Sequence, residues 1–283
     1  FIARDDHLAA IRKNGLRVVS TETDLHIDPA VATDDPGTLE PFDIVLFCVK
    51  LYDTLSAAEI IAPIVGPNTR VLTLQNGVDG AEQLAEKFGR EHVLGGVAYI
   101  AAKIDAPGVV SYLPGMTRMV LGTMDGQSDP VVNDFLNACQ TCPFGAEIAD
   151  DIQAALWTKM ILLATNAGIS ATSRLPIRVT FDDDETRGVA VAAFREAEAV
   201  ARALGVDLPD DIVDRLTQAS KGFPKDMYAS MYYDLVAGKR IEIDGLPGTI
   251  VRLGAEHGIP TPVHSTFYAM LKPYRDGAPA LSD

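Results

Sequence analysis

Between Asp43 and Ala98 the chain alternates short, wholly apolar runs with amphipathic ones, and this alternation restricts the fold more than any other feature. Asp43-Ile-Val-Leu-Phe-Cys-Val49 is a continuous apolar run, the pattern of a strand buried on both faces of a parallel sheet. The pattern predicts a helix over Thr54 to Ile64, a second buried strand over Thr69 to Leu74, a helix over Gly80 to Phe88 and a third strand over Val93 to Ala98. Strands and helices that alternate at these lengths build βαβ units in a doubly wound α/β sheet. Ligands of such sheets bind beyond the carboxyl ends of the strands, which is where Lys50 and Gln75-Asn76-Gly77 fall.

The flanking segments extend this plan. Phe1 to Ala3 reads as the tail of a buried strand and Arg4-Asp5-Asp6 as a turn. His7 to Asn14 is an amphipathic helix with Leu8 and Ile11 inward, ended by Asn14-Gly15. Leu16 to Ser20 and Leu25 to Ile27 form a small strand pair, and Gly108 to Leu113 is expected to pair antiparallel with Met119 to Gly122. A helix over Asp129 to Ala138, begun by Asp-Pro, and a short strand over Ala146 to Ala149 complete this part. From Asp151 the pattern is wholly helical, with helices over Asp151 to Thr172, Phe194 to Leu204, Pro209 to Ala219, Met227 to Ala237, Leu246 to His257 and Pro262 to Leu271. Pro176 to Arg187 carries no readable period. The expected division is a Rossmann-type domain over residues 1–150 and a helical domain over residues 151–283.

The helix over Asp151 to Thr172 is apolar on nearly every side, the signature of a helix buried all round, yet Lys159 sits inside it. A lysine ammonium is costly to bury without a partner. Read alone, Lys159 is a side chain that snorkels to water from a helix edge. The alternative is an ammonium that faces a cleft and donates a proton or hydrogen bond to a substrate.

Composition narrows the partners. The formal net charge of −15 over 283 residues argues against nucleic acid and anionic membranes, and 47% hydrophobic residues supply a sizeable core. No apolar run reaches the ~18–20 residues of a membrane span. The three cysteines (Cys48, Cys139, Cys142) without a leader pattern predict a reduced, cytoplasmic chain, and none of the five histidines has metal or nucleophile spacing. No metal is expected. The oligomeric state stays open, a homodimer among the options.

Several stretches, in order and over almost the whole chain, fit one family: Arg4 with His7-Leu8 and Asn14-Gly15-Leu16, Asp43 to Lys50, Leu74-Gln75-Asn76-Gly77, Gly95-Gly96-Val97, Pro107-Gly108, Trp157-Thr-Lys159, Ser230-Met231 with Asp234-Leu235, Glu242-Ile243-Asp244 with Gly248, and Gly258-Ile259-Pro260-Thr261-Pro262. The chain resembles ketopantoate reductase (2-dehydropantoate 2-reductase). The resemblance implies an NADP-dependent reductase of a small 2-oxo acid, with an N-terminal Rossmann domain, a C-terminal all-helical domain and an active site in the cleft between them. It implies that Lys159 is the general acid, that Glu242 and Ser230 bind substrate, that Asn76 lies at the nicotinamide and substrate, and that Arg4 and Lys50 bind the cofactor. The chemistry agrees: hydride delivery to a 2-oxo acid builds negative charge on the carbonyl oxygen, which a nearby cation stabilises and protonates. Against four of these roles stands a plain alternative: surface acids at a helix start for Glu242 and Asp244, a simple turn for Asn76-Gly77, a solvated charge for Arg4 and a helix-surface serine for Ser230.

Two departures from the family stand out. The family's opening strand and G-x-G-x-x-G turn, which seats a pyrophosphate on a helix N-terminus, occurs nowhere in the sequence, so the natural start is expected to lie roughly 25–30 residues before Phe1, from the size of a first βα unit. And the position one helical turn after Lys159, an asparagine in some family members, is Leu163. The leading expectation is NADPH-dependent reduction of 2-dehydropantoate to pantoate in pantothenate biosynthesis. The rivals are reduction of a different bulky 2-oxo acid, which Leu163 favours, and a nucleotide-binding sensor without turnover.

Overall fold

The computed structural model describes residues 1–115 and 117–279 and falls into two compact units. The first takes in Phe1–Val49, Asp53–Leu74 and Gln83–Ile152; the second takes in Lys50–Tyr52, Gln75–Glu82 and the chain from Gln153 onward.

The first unit holds two sheets. In the larger, β3 (Ile44–Phe47), β4 (Arg70–Thr73), β5 (Val93–Tyr99), β8 (Arg118–Thr123) and β9 (Gly145–Ile148) lie in that order. The β3–β4 and β4–β5 pairs are parallel, β5–β8 is antiparallel and β8–β9 is parallel. The smaller sheet has β2 (Asp24–Ile27), β1 (Leu16–Val19), β7 (Val109–Tyr112) and β6 (Ala102–Ala106), with β1–β7 parallel and the outer pairs antiparallel. Leu72, Leu94, Met119 and Leu121 from the large sheet pack with Val132 and Cys139 of α4 (Pro130–Cys139) into one apolar layer. The parallel strands take the helices α2 (Thr54–Ile61) and α3 (Asp79–Phe88) between them, as βαβ logic requires. α1 (Asp5–Asn14) carries Asp5 and Asp6 in its first turn and Arg12 and Lys13 in its last, matching its dipole, and buries Leu8 and Ile11.

Three expectations are corrected here. The segment around β7 does not pair with β8: the two strands lie in different sheets, β7 beside β1 and β6, β8 beside β5 and β9. β3 is not buried on both faces. It ends the large sheet's order, and because side chains alternate between faces, Val45 and Phe47 are buried while Leu46 is 49% exposed. Phe1 to Ala3 is not a buried strand either, since Phe1 and Ile2 are exposed and Ile2 makes a single parallel bridge to Thr33.

The second unit is built around α5 (Ile152–Ser173). Trp157, Met160, Ile161 and Ala164 of α5 pack with Phe181 of α6 (Ile177–Asp182), Phe194 of α7 (Asp184–Ala203), Leu216 of α8 (Ile212–Gly222), Met231 of α9 (Ser230–Val236), Ile250 of α10 (Pro247–His257) and Phe267 of α11 (Pro262–Leu271). α7 starts ten residues before the expected Phe194, where Asp183 caps it by accepting the Thr186 N–H at 2.9 Å. α9 starts at Ser230 rather than Met227, because Ala229 is extended.

Candidate functional site

Glu242 lies between Ile241 and Ile243, both sunk in the core of the helical unit, and is itself buried. A carboxylate so placed must be paired. One oxygen, Oε1, accepts the Leu51 backbone N–H at 3.1 Å, and the other, Oε2, accepts from the Lys50 ammonium at 3.1 Å. Lys50 also donates to Oδ2 of Asp234, on α9, at 2.8 Å. Burial alone pushes the Lys50 ammonium down; the charges of Glu242 and Asp234 reverse this and leave it above the ordinary lysine value.

Lys159 stands on α5 and is partly buried. Burial pushes its ammonium down to about 8, and the charge of Glu242 works against that fall. At neutral pH it is therefore protonated with a proton easily given up. Leu163, on the same face one turn later, is partly buried against the apolar core, as is Met227.

Asn76 belongs to the same unit, partly buried in the turn before α3. Its neighbour Gly77 has φ +84, and a Cβ there would lie 2.9 Å from the Gly245 carbonyl oxygen and 3.0 Å from Leu51 Cδ1. Only glycine allows both the angle and that approach, which seats the Asn76 turn against the segment that follows Glu242. Ser230 opens α9, exposed, four residues before Asp234 and so on the same helix face. Next to it Tyr228 and Tyr232 stack with ring centroids 3.9 Å apart, and Tyr233 meets Tyr232 edge-on. Asp244, the other acid of the Glu-Ile-Asp stretch, is exposed and accepts from the Tyr268 hydroxyl at 2.8 Å.

The structure thus gathers Lys50, Asn76, Lys159, Ser230 and Glu242 in one compact unit, with Lys50 joined directly to Glu242. Arg4 belongs to the other unit, at the N-cap of α1, with its side chain 72% exposed and Asp53 at 3.7 Å. Sequence reasoning assigned no role to Asp234, whose spacing from Ser230 was the available signal. Among the described residues no group of His, Cys, Asp and Glu is arranged to hold a metal ion, Cys139 and Cys142 are free thiols, and no helix is long and apolar enough to cross a membrane. Chemically, the arrangement offers a partly desolvated ammonium that feels the charge of a buried carboxylate, which a second ammonium holds in place: a proton source for an oxygen that gains negative charge.

Residues 1–126 match the family profile described as Ketopantoate reductase PanE/ApbA, and residues 151–275 match its C-terminal counterpart. A 2-dehydropantoate 2-reductase of Halobacterium salinarum is 32% identical, over 97% of this chain and 90% of the relative. The crystal structure of a PanE/ApbA family ketopantoate reductase from Ralstonia eutropha JMP134 superimposes with a TM-score of 0.88 at 33% identity, covering 97% of this chain and 90% of that one. That of a 2-dehydropantoate 2-reductase from Geobacter metallireducens gives 0.89 at 28% identity, over 96% and 90%.

Proposed function

Because the chain belongs to the ketopantoate reductase family of NAD(P)H-dependent oxidoreductases, we propose that it reduces a 2-oxo acid to the 2-hydroxy acid with NADPH. 2-Dehydropantoate, giving pantoate for pantothenate biosynthesis, is the leading substrate. The observation that carries this reading is the partly buried Lys159 under the charge of the buried Glu242.

Lys159 hydrogen-bonds the ketone oxygen and transfers its proton as negative charge develops there. The nicotinamide supplies the hydride to the carbonyl carbon when bound. Glu242 keeps Lys159 charged until the proton is used, and solvent restores it afterwards. Ser230, exposed at the start of α9, donates to the substrate carboxylate. Asn76, in the turn seated on Gly245, orients the reacting carbonyl. Residues 1–150 seat the cofactor in this reading and residues 151–283 carry most of the substrate groups.

Arg4 fits the 2′-phosphate that distinguishes NADPH. Its guanidinium is largely open, with its carboxylate partner at the long distance of 3.7 Å, and a guanidinium offers the donor fork that phosphate takes. Lys50, engaged by Asp234 and Glu242, serves the carboxylate cluster in this structure, and its part in holding cofactor is a separate proposal, read from NADPH affinity in Lys50→Gln.

A second reading keeps the chemistry and changes the substrate to another bulky 2-oxo acid. Leu163 supports it by presenting an apolar side chain on the Lys159 face of α5. The test is NADPH oxidation with 2-dehydropantoate and a panel of 2-oxo acids, by the parent and Lys159→Ala. Turnover of 2-dehydropantoate that falls by about 10²–10⁴-fold in the variant is the expected result. Turnover confined to another oxo acid selects the second reading, and activity unchanged in Lys159→Ala overturns the role of the lysine.

A further inference from the structure

Four charges sit together in the helical unit: two ammonium groups, Lys50 and Lys159, and two carboxylates, Asp234 and Glu242. Lys50 is shared, 2.8 Å from Asp234 and 3.1 Å from Glu242, with the shorter contact to Asp234. The Glu242 side chain is 3% exposed, so its charge acts on its neighbours with little screening by water. If Lys50 served Glu242 alone, its ammonium would cancel the carboxylate and leave no net negative charge beside Lys159. Asp234 supplies the fourth charge and draws Lys50 toward α9.

We propose that Asp234 is a positioning residue of the reductase: by holding Lys50 it leaves the Glu242 carboxylate negative toward Lys159, and so keeps Lys159 protonated for proton transfer. This rests on the reading of Lys159 as the acid. Three other charged groups of the same unit are engaged elsewhere. Asp79, in the 75–82 stretch, is held by Thr249 and Arg252 of α10. Asp244 is held by the Tyr268 hydroxyl and lies 3.8 Å from Arg275. Arg240 lies over the Tyr52 ring, 4.2 Å from its centroid. The charge of Glu242 acts on Lys159, and Lys50 and Asp234 bear on it through their contacts with Glu242 and with each other.

The experiment is an NMR titration of the full chain labelled with ε-¹³C lysine, the Lys159 signal being the one lost in Lys159→Arg. It compares the parent with Asp234→Asn and Asp234→Glu, alongside the pH profile of kcat/KM. The Lys159 midpoint should fall by about half a pH unit or more in Asp234→Asn, as expected when a nearby opposite charge is removed, and return toward the parent in Asp234→Glu. The alkaline limb of kcat/KM should move with it. A residue that only supported the fold would lower the amplitude and leave the midpoint in place, and that result overturns the proposal. Should Asp234→Asn not fold, Lys50→Gln tests the same circuit with the opposite sign: the midpoint must rise, and an unmoved midpoint overturns the proposal. If the parent reduces no oxo acid while the midpoint still moves in Asp234→Asn, the proposed function fails and the charge coupling stands.

Discussion

Thr249 donates its hydroxyl to Asp79 at 2.7 Å, and Arg252, three residues further along α10, donates to the other carboxylate oxygen at 2.8 Å. Both contacts lie inside the helical unit. They tie the stretch that carries Asn76 to the helix that begins a few residues after Glu242. Two proposed parts of the site therefore share one anchor that touches neither of them.

Thr249→Val tests that anchor. The side chain is 1% exposed, valine has nearly the same shape, and the change removes only the hydroxyl. The unfolding free energy should fall by about 1–2 kcal/mol, read as a lower urea midpoint with an unchanged slope. An unmoved midpoint would mean that Arg252 holds Asp79 alone.

Lys159 ties stability to pH with a definite sign. Its folded value of about 8 lies below the ordinary 10.5, so between those two values the unfolded chain binds the proton and the folded one does not. Stability from this group therefore rises with pH across that window, and its full cost is present below it. Lys159→Met should stabilise the protein at pH 7 by on the order of 2 kcal/mol, and the difference from the parent should shrink toward pH 10. Urea titrations of both proteins at pH 7 and pH 10 measure it. A variant less stable than the parent at pH 7 would contradict the sign.

Gly168 lies in the C-terminal half of α5, buried, and a Cβ there would overlap the ring of Phe267 on α11. Gly168→Ala should cost about 1–3 kcal/mol, the usual range for overpacking a core. Adding Phe267→Leu should recover part of that loss, since contacting residues couple. Thermal unfolding of the two single variants and the double variant gives the coupling; strict additivity would place the strain elsewhere.

Glu196, on α7, accepts the backbone N–H groups of Val263 and His264 at 2.8 and 3.0 Å and meets His264 Nδ1 at 2.9 Å, so that it caps the start of α11. Burial works to raise its carboxyl, but these hydrogen bonds outweigh it and hold the group below the usual carboxylate range. The stabilisation is present above the unfolded carboxylate value and is lost as pH falls through the lower folded one. Glu196→Gln should cost about 1–2 kcal/mol at pH 7 and flatten the acid limb of the stability curve. An acid limb identical to the parent's would exclude Glu196 as its source.

The parts of the fold that local chemistry marks were legible. Pro262 opens α11 and Gly258, with φ +69, closes α10, and both helices have the expected bounds to within a residue. Pairing was not legible where it is non-local. β7 finds its parallel partner at Arg17 to Val19, far back in the chain, and nothing in residues 108–122 encodes that choice. β6 is exposed at every position, so it has no alternation to read. The first turns of α7, Asp184 to Val189, carry mostly charged and small residues outside its apolar stripe, which hid them. In the site, Lys159 was visible as a charge in an apolar helix. Glu242 entered through the resemblance as a substrate group, its charge on Lys159 emerged only from the structure, and the Lys50–Asp234 contact, between residues 184 positions apart, has no local signal at all.

The helical unit is discontinuous along the gene, because residues 50–52 and 75–82 belong to it although they are translated long before α5. A fragment begun at residue 153 would keep every helix from α6 to α11 and most of α5. It would also keep Glu242 in its apolar setting without Lys50 or the Leu51 N–H, and Thr249 and Arg252 without Asp79. Grafting this portion onto another N-terminal half thus means carrying those two short insertions along with it. The charge circuit makes the two stretches and the helices a single unit of inheritance, one that a simple crossover between them would break.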